Sequence, residues 1–234
     1  MDNTILNFEK RKVEINIYLD YLVLLDKDGV ELKYKEFQET KYTPVSSEFL
    51  TTLTANSFLL LYNVIESTIR NSIIAIYYNI KEEGVTFTEL SDNLKKLWTK
   101  FETDRFKEGN FRIETIREFV LEFANKIAKE EVVMFSEEWM DFSGNLDANE
   151  IRGLAEKIGF LKSPDGRNLV KIKDKRNRLA HGEHTFYDVG KDFSVRDIVD
   201  LKNEVFDYLD DVVRNVGQYI QNKSFKSTVS SPPG

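Results

Sequence analysis

Arg176, Asn177 and His181 lie within six residues of one another in a chain with only two histidines, the other being His184. An imidazole exchanges a proton near neutral pH, so His181 is the natural general acid or base of this stretch. The surrounding sequence, KIKDKRNRLAHGE from Lys171 to Glu183, reads as a helix that is apolar through Leu169, Ile172 and Leu179 and basic elsewhere. Gly182 supplies the left-handed residue that ends such a helix, which puts His181 on its last turn. A cationic imidazole there faces the negative end of the helix dipole, a contact worth ~0.3–1 kcal/mol when exposed. The alternative role for a histidine at this place is structural, donating to nearby carbonyls.

Spacing limits what one copy of the helix can do. Asn177 and His181 are four apart and share a face, whereas Arg176 and His181 are five apart and diverge by about 140°. A compact site forms more easily if two copies of the helix face each other. The expectation is therefore a symmetric dimer, with Arg176 and His181 of both chains lining one cleft.

Arg176 and Asn177, followed after three residues by His181, match the R-x4-H signature of the HEPN superfamily. LLLYNVIEST (Leu59 to Thr68), DFSGNLDANEIRGLAEKIGF (Asp141 to Phe160) and KRNRLAHGE (Lys175 to Glu183), in that order, resemble a bacterial HEPN subfamily found in conflict and defence gene clusters. The resemblance covers about Thr52 to Ile220. It implies an all-α, HEPN-like helical bundle with extra amino-terminal and inserted helices, dimeric through the motif helix.

It also implies a metal-independent endoribonuclease without cofactor, acting as a toxin or antiphage effector. Such cleavage needs one group to take the proton from the 2′-hydroxyl, another to protonate the leaving 5′-oxygen, and positive charge on the phosphorane. Two copies of His181 could be the base and the acid, each contributing typically 10²–10⁴-fold. Arg176 would clamp phosphate oxygens with planar paired donors, and Asn177 would orient the imidazole or a phosphate oxygen. The expected products carry a 2′,3′-cyclic phosphate and a 5′-hydroxyl. Partners implied are an RNA substrate such as tRNA, a second copy of the chain, and an antitoxin or operon-encoded protein. The alternatives are a non-catalytic HEPN module that binds RNA, a nucleotide or a partner protein, or one half of a heterodimer with a related HEPN protein. Some HEPN toxins carry a tyrosine two residues after the motif histidine, which a nucleotidyltransferase antitoxin modifies; here that position is Glu183, and the nearest tyrosine is Tyr187.

Composition sets bounds on these readings. The 234 residues contain no cysteine, which excludes thiolate catalysis and a disulfide framework. No apolar run approaches membrane-spanning length and no signal-peptide pattern opens the chain, so a soluble, cytoplasmic protein without membrane contact is expected. Four prolines and eleven glycines among abundant Leu, Ile, Glu and Lys favour helices. A net charge of −7 opposes RNA binding over the chain as a whole, but nucleic-acid contact is decided by the local field. From Arg167 to Arg178 six basic residues meet only Asp174. Lys171, Lys173, Lys175 and Arg178 are the expected RNA contacts, unless the run is merely a solvated face.

The elements that must position these residues can be read in order. Asn3 to about Asp26 is an amphipathic helix through Phe8, Ile15, Leu19 and Leu22, interrupted by Asp28 and Gly29. Val30 to Phe37 is either helix or extended, with helix favoured, and Tyr42 to Ser47 is a connection. Ser47 or Thr52 could cap a central helix from Leu50 to about Lys81, nearly all apolar. On it Tyr62, Glu66 and Arg70 make a polar stripe at spacings of four, either an internal ion pair or a support that orients Arg176 through Tyr62 or Glu66.

A third helix follows, capped at Thr86 or Thr88 and reaching Phe101, then a loop at Lys107 to Asn110 and a helix from Phe111 to Ala128. Val132 to Met140 is a short strand or an irregular packed segment. Asp147 with Glu150 reads as a capping box for a helix ending at Gly159, and Ser163 to Gly166 as a turn into the basic helix. Glu183 to Phe193 is a loop or short hairpin. Ser194 and Asp197 cap a final helix to about Ile220. The whole is expected as one domain over 1–222, motif-bearing from about 45 to 220, with a flexible tail at 223–234. His181 and His184 stand at a metal-ligand spacing, but Gly182 breaks the helix between them and no thiol is present, so no metal site is expected.

Overall fold

The computed structural model describes residues 1–104, 112–136 and 145–227. Its elements run α1 (Asp2–Leu25), β1 (Glu31–Glu36), β2 (Glu39–Pro44), α2 (Ser47–Glu82), α3 (Asp92–Asp104), α4 (Ile113–Ala128), α5 (Ala148–Ile158), α6 (Leu169–Ala180), α7 (Phe186–Gly190) and α8 (Val195–Gln221). Among the described residues the architecture is helical, with one two-stranded hairpin.

α2 is the axis on which α1, α6, α7 and α8 pack. Its 36 residues span about 54 Å at 1.5 Å per residue. It is apolar almost all round, so neighbours can bury it from several sides: Phe58, Leu61, Tyr62, Ile65, Ile76 and Ile80 are wholly buried. Each such side chain contributes about 1.5–3 kcal/mol relative to exposure. The Ser46 hydroxyl accepts from the Phe49 amide and starts the helix, one residue before the expected Ser47.

α1 packs on α2 and α8, with Phe8 edge-on to Phe206 at 6.3 Å. The Tyr18 hydroxyl donates to the Leu53 carbonyl of α2 at 2.6 Å, and Lys12 pairs with Asp210 of α8 at 3.0 Å. Phe87, Trp98 and Phe123 form an aromatic cluster that joins α3 to α4.

Several expectations are corrected. Val30 to Phe37 is not helical: β1 pairs antiparallel with β2 from Glu31↔Pro44 to Glu36↔Glu39, through a turn in which Phe37 and Gln38 have positive φ. Tyr42 and Pro44 thus belong to a strand rather than to a connection. α3 begins at Asp92; the residues before it make isolated bridges, Thr86 with Val132 and Leu90 with Lys226. The segment from Glu183 to Phe193 contains a helix, α7, where a loop or hairpin was expected. The supposed tail is docked at its start, with Phe225 buried and the Ser91 amide donating to its carbonyl at 2.8 Å. The loop expected at Lys107 to Asn110, the part of the Val132 to Met140 segment beyond 136, and residues 141–144 and 228–234 lie outside the described residues.

Candidate functional site

α6 is held at both ends by features visible in the sequence. The turn at Asp165 and Gly166, both at positive φ, delivers the chain to its first residues, where the Glu204 carboxylate accepts from the Asn168 amide at 3.0 Å. Leu169 and Ile172 are fully buried, and Leu179 nearly so, which fixes the rotation of the helix against α2. At the other end His181 is the C-cap, its amide donating to the Asn177 carbonyl at 2.9 Å. Gly182 then turns left-handed at φ 69, and the Glu183 amide closes back onto the Arg178 carbonyl at 3.0 Å.

These constraints orient the motif residues. The Arg176 guanidinium lies over the Tyr62 ring, 4.5 Å from its centroid, and donates to Asn177 Oδ1 at 2.9 Å. Tyr62 is fully buried, and its hydroxyl accepts from the Leu146 amide at 3.2 Å, so the platform cannot swing away. Burial pushes the Tyr62 phenol above its usual range, as does the Glu66 carboxylate, against the opposing influence of the Leu146 amide, Arg176 and Lys173. The ring therefore stays neutral beneath a cation, an arrangement worth about 0.5–2 kcal/mol depending on desolvation. Glu66 lies 3.6 Å from Arg70, one turn along α2. Of the expected supports, Tyr62 is the one that touches Arg176.

Among the described residues no carboxylate pairs with Arg176, so its charge is oriented but not neutralised. His181 is exposed at the helix end, and its imidazole has no hydrogen-bond partner among the described residues. Asn177, half-buried, uses its Oδ1 on Arg176 rather than on the imidazole.

The basic run divides in two. Lys173 Nζ is 2.6 Å from Asp147 Oδ2, with both side chains largely buried, and Lys175 Nζ lies 3.5 Å from Asp192 and over the Phe193 ring. Lys171 and Arg178 are exposed and have no ion pair among the described residues. The Asp147–Lys173 contact was not legible as a pair, because its members are 26 positions apart and Asp147 read only as a helix cap. It performs both roles, since Asp147 Oδ1 also accepts from the Asn149 and Glu150 amides.

Chemically, α6 and its C-cap carry a pre-oriented guanidinium, an exposed imidazole and two exposed cations. Among the described residues no three or more His, Asp or Glu side chains gather where they could hold a metal, and no helix is long and apolar enough to cross a membrane.

Compared with known proteins, the chain is matched over residues 2–225 by the family model described as HEPN_MAE_28990-like HEPN. The match runs well beyond the Thr52 to Ile220 expected from the motifs and takes in α1 and the hairpin. No curated protein and no solved structure matches it.

Proposed function

As the chain belongs to the HEPN_MAE_28990-like HEPN family, we propose that it is a metal-independent endoribonuclease of a toxin or defence system. The observation that carries this reading is Arg176 held over a buried tyrosine ring with no carboxylate partner among the described residues, on the helix that ends at an exposed His181. A cation that a protein orients at the cost of desolvation, yet leaves unneutralised, is set up for an anionic ligand.

In the proposed reaction two copies of α6 face each other across a two-fold axis. One neutral His181 takes the proton of the ribose 2′-hydroxyl as its oxygen attacks phosphorus. The cationic His181 of the second copy gives its proton to the 5′-oxygen as the P–O5′ bond breaks. Arg176 holds the non-bridging oxygens, on which negative charge grows, and Asn177 keeps the guanidinium in plane. The products are a 2′,3′-cyclic phosphate and a 5′-hydroxyl, and the two imidazoles have exchanged protonation states. Lys171 and Arg178 guide the flanking phosphates.

A second reading, a module that binds RNA, a nucleotide or a partner protein without cutting, draws support from the engagement of Lys173 and Lys175 by carboxylates. One assay separates the two. A labelled tRNA pool is incubated in EDTA with wild type, His181→Ala and Arg176→Ala. Cleavage by wild type with cyclic-phosphate ends, lost by at least about a hundredfold in each variant, supports the nuclease. Binding without cleavage by all three supports the module, and equal cleavage by all three places the activity elsewhere.

A further inference from the structure

α1 carries two apolar faces. Phe8, Ile15, Leu19 and Leu22 are buried against α2 and α8. On the opposite side Leu6 is 52% exposed, Val13 57%, Ile17 53% and Leu24 46%. An apolar stripe of this length on a helix outside the core marks an interaction surface.

The spacing of this outer stripe is specific. With Lys10 and Asp20, both exposed, the residues run Leu6, Lys10, Val13, Ile17, Asp20, Leu24, at steps of four, three, four, three and four. That is the alternating repeat of a coiled-coil seam, over about 27 Å of helix. The order along it reads the same from either end: apolar, charged, apolar, apolar, charged, apolar, with the two charges of opposite sign. Laid antiparallel on a second copy, Leu6 meets Leu24, Val13 meets Ile17, and Lys10 meets Asp20, each twice about a two-fold axis. A parallel pair would set Lys10 against Lys10 and Asp20 against Asp20.

We propose that the outer face of α1 is an antiparallel homodimer interface, with Lys10 and Asp20 fixing its register. This surface is separate from the motif face, because α1 packs on α2 and α8 whereas α6 packs on α2 and α7. It therefore does not rest on the chemistry proposed for α6, and a chain using both surfaces assembles beyond a dimer.

The test uses the full chain, by sedimentation equilibrium and by cross-linking. Lys10→Asp and Asp20→Lys should each weaken self-association by at least about tenfold, since each substitution places like charges in both charged layers. An equimolar mixture of the two should recover it, because every charged layer of the mixed pair then joins opposite charges. The natural chain has no cysteine, so introduced thiols report the register directly. Under oxidation, Leu6→Cys chains should link to Leu24→Cys chains and not to one another. Val13→Asp should lower the assembly mass while circular dichroism keeps the helical signal.

A chain that stays monomeric up to about 100 µM overturns the proposal and leaves the stripe to a different protein. So does association unchanged by Lys10→Asp, Asp20→Lys and Val13→Asp, which would belong to another face. RNA cleavage is read separately at α6, so failure here and failure of the nuclease reading are distinguishable.

Discussion

The Asp147 carboxylate ties the start of α5 to the middle of the motif helix. Partial burial alone would push it up, but the Lys173 ammonium at 2.6 Å and the Glu150 and Asn149 amides outweigh burial and hold it below its ordinary value of 3.8. Lys173 is correspondingly raised above 10.5 by the same contact, against the opposing pull of burial. The signs set the pH window. A depressed carboxylate stabilises the fold above its unfolded value and loses that contribution as pH falls through the folded value. A raised ammonium contributes fully below its unfolded value and loses its contribution as pH rises through the folded one. Asp147→Ala, which removes both the cap and the partner of a largely buried ammonium, should cost about 1–3 kcal/mol at pH 7. In urea unfolding the gap from wild type should stay level from about pH 5 to 10 and shrink below about pH 4 and again above about pH 10.5. A gap that shrinks in acid but stays level above about pH 10.5 would assign the effect to the helix cap alone, since the capping amides also favour the charged carboxylate.

At the scale of elements, α7 is positioned by a close approach. A Cβ built on Gly190 would stand 2.0 Å from the Thr51 carbonyl oxygen of α2, which is backbone and cannot step aside. Gly190→Ala should therefore destabilise by about 1–3 kcal/mol through displacement of α7 from α2. Gly217, inside α8 with open space around it, gives the opposite sign: Gly217→Ala should stabilise by about 0.5–1 kcal/mol through helix propensity. Thermal unfolding of both variants beside wild type checks the pair, and equal effects at the two positions would sink the contact argument.

The same elements show what could be read from sequence and why. α2 was legible because it is apolar on nearly every face, and the ends of α5 and α8 because Asp147, Gly159 and the Ser194–Asp197 capping box are local signals. The hairpin was not legible. All twelve of its residues are exposed, so no buried face imposed a period of two, and Phe37–Gln38 is not a typical residue pair for its turn. α7 is too short for periodicity, although its Thr185–Asp188 capping box stood in the sequence as an unused signal. At the site, the grouping of Arg176, Asn177 and His181 came from spacing and resemblance, and the Tyr62 contact from a polar stripe on a buried helix. The anchoring of Lys173 and Lys175 came from neither, since tertiary packing brings Asp147 and Asp192 to them.

For the whole molecule, under the proposed reading, that anchoring decides how strongly a chain of net charge −7 holds RNA. Six basic residues from Arg167 to Arg178 suggest a broad cationic track, but the structure pairs Arg167 with Asp165, Lys173 with Asp147 and Lys175 with Asp192. Among the described residues, Lys171, Arg176 and Arg178 of this run make no ion pair, although Lys171 stands in the field of the Asp197 carboxylate. Each phosphate neutralised on a single strand contributes about −0.7 to the slope of log affinity against log salt, so about three contacts predict a slope near −2, and six would predict about −4. His181→Ala, which should bind RNA without cutting it, allows the measurement: labelled single-stranded RNA is titrated in EDTA from about 50 to 300 mM salt. In that background Arg178→Ala should flatten the slope by roughly one contact, and Lys175→Ala should leave it nearly unchanged, because its ammonium already faces Asp192. A slope near −4 that falls equally with either substitution would mean that RNA displaces the carboxylates, and that the acidic remainder of the protein is less effective at confining the substrate than its fold suggests.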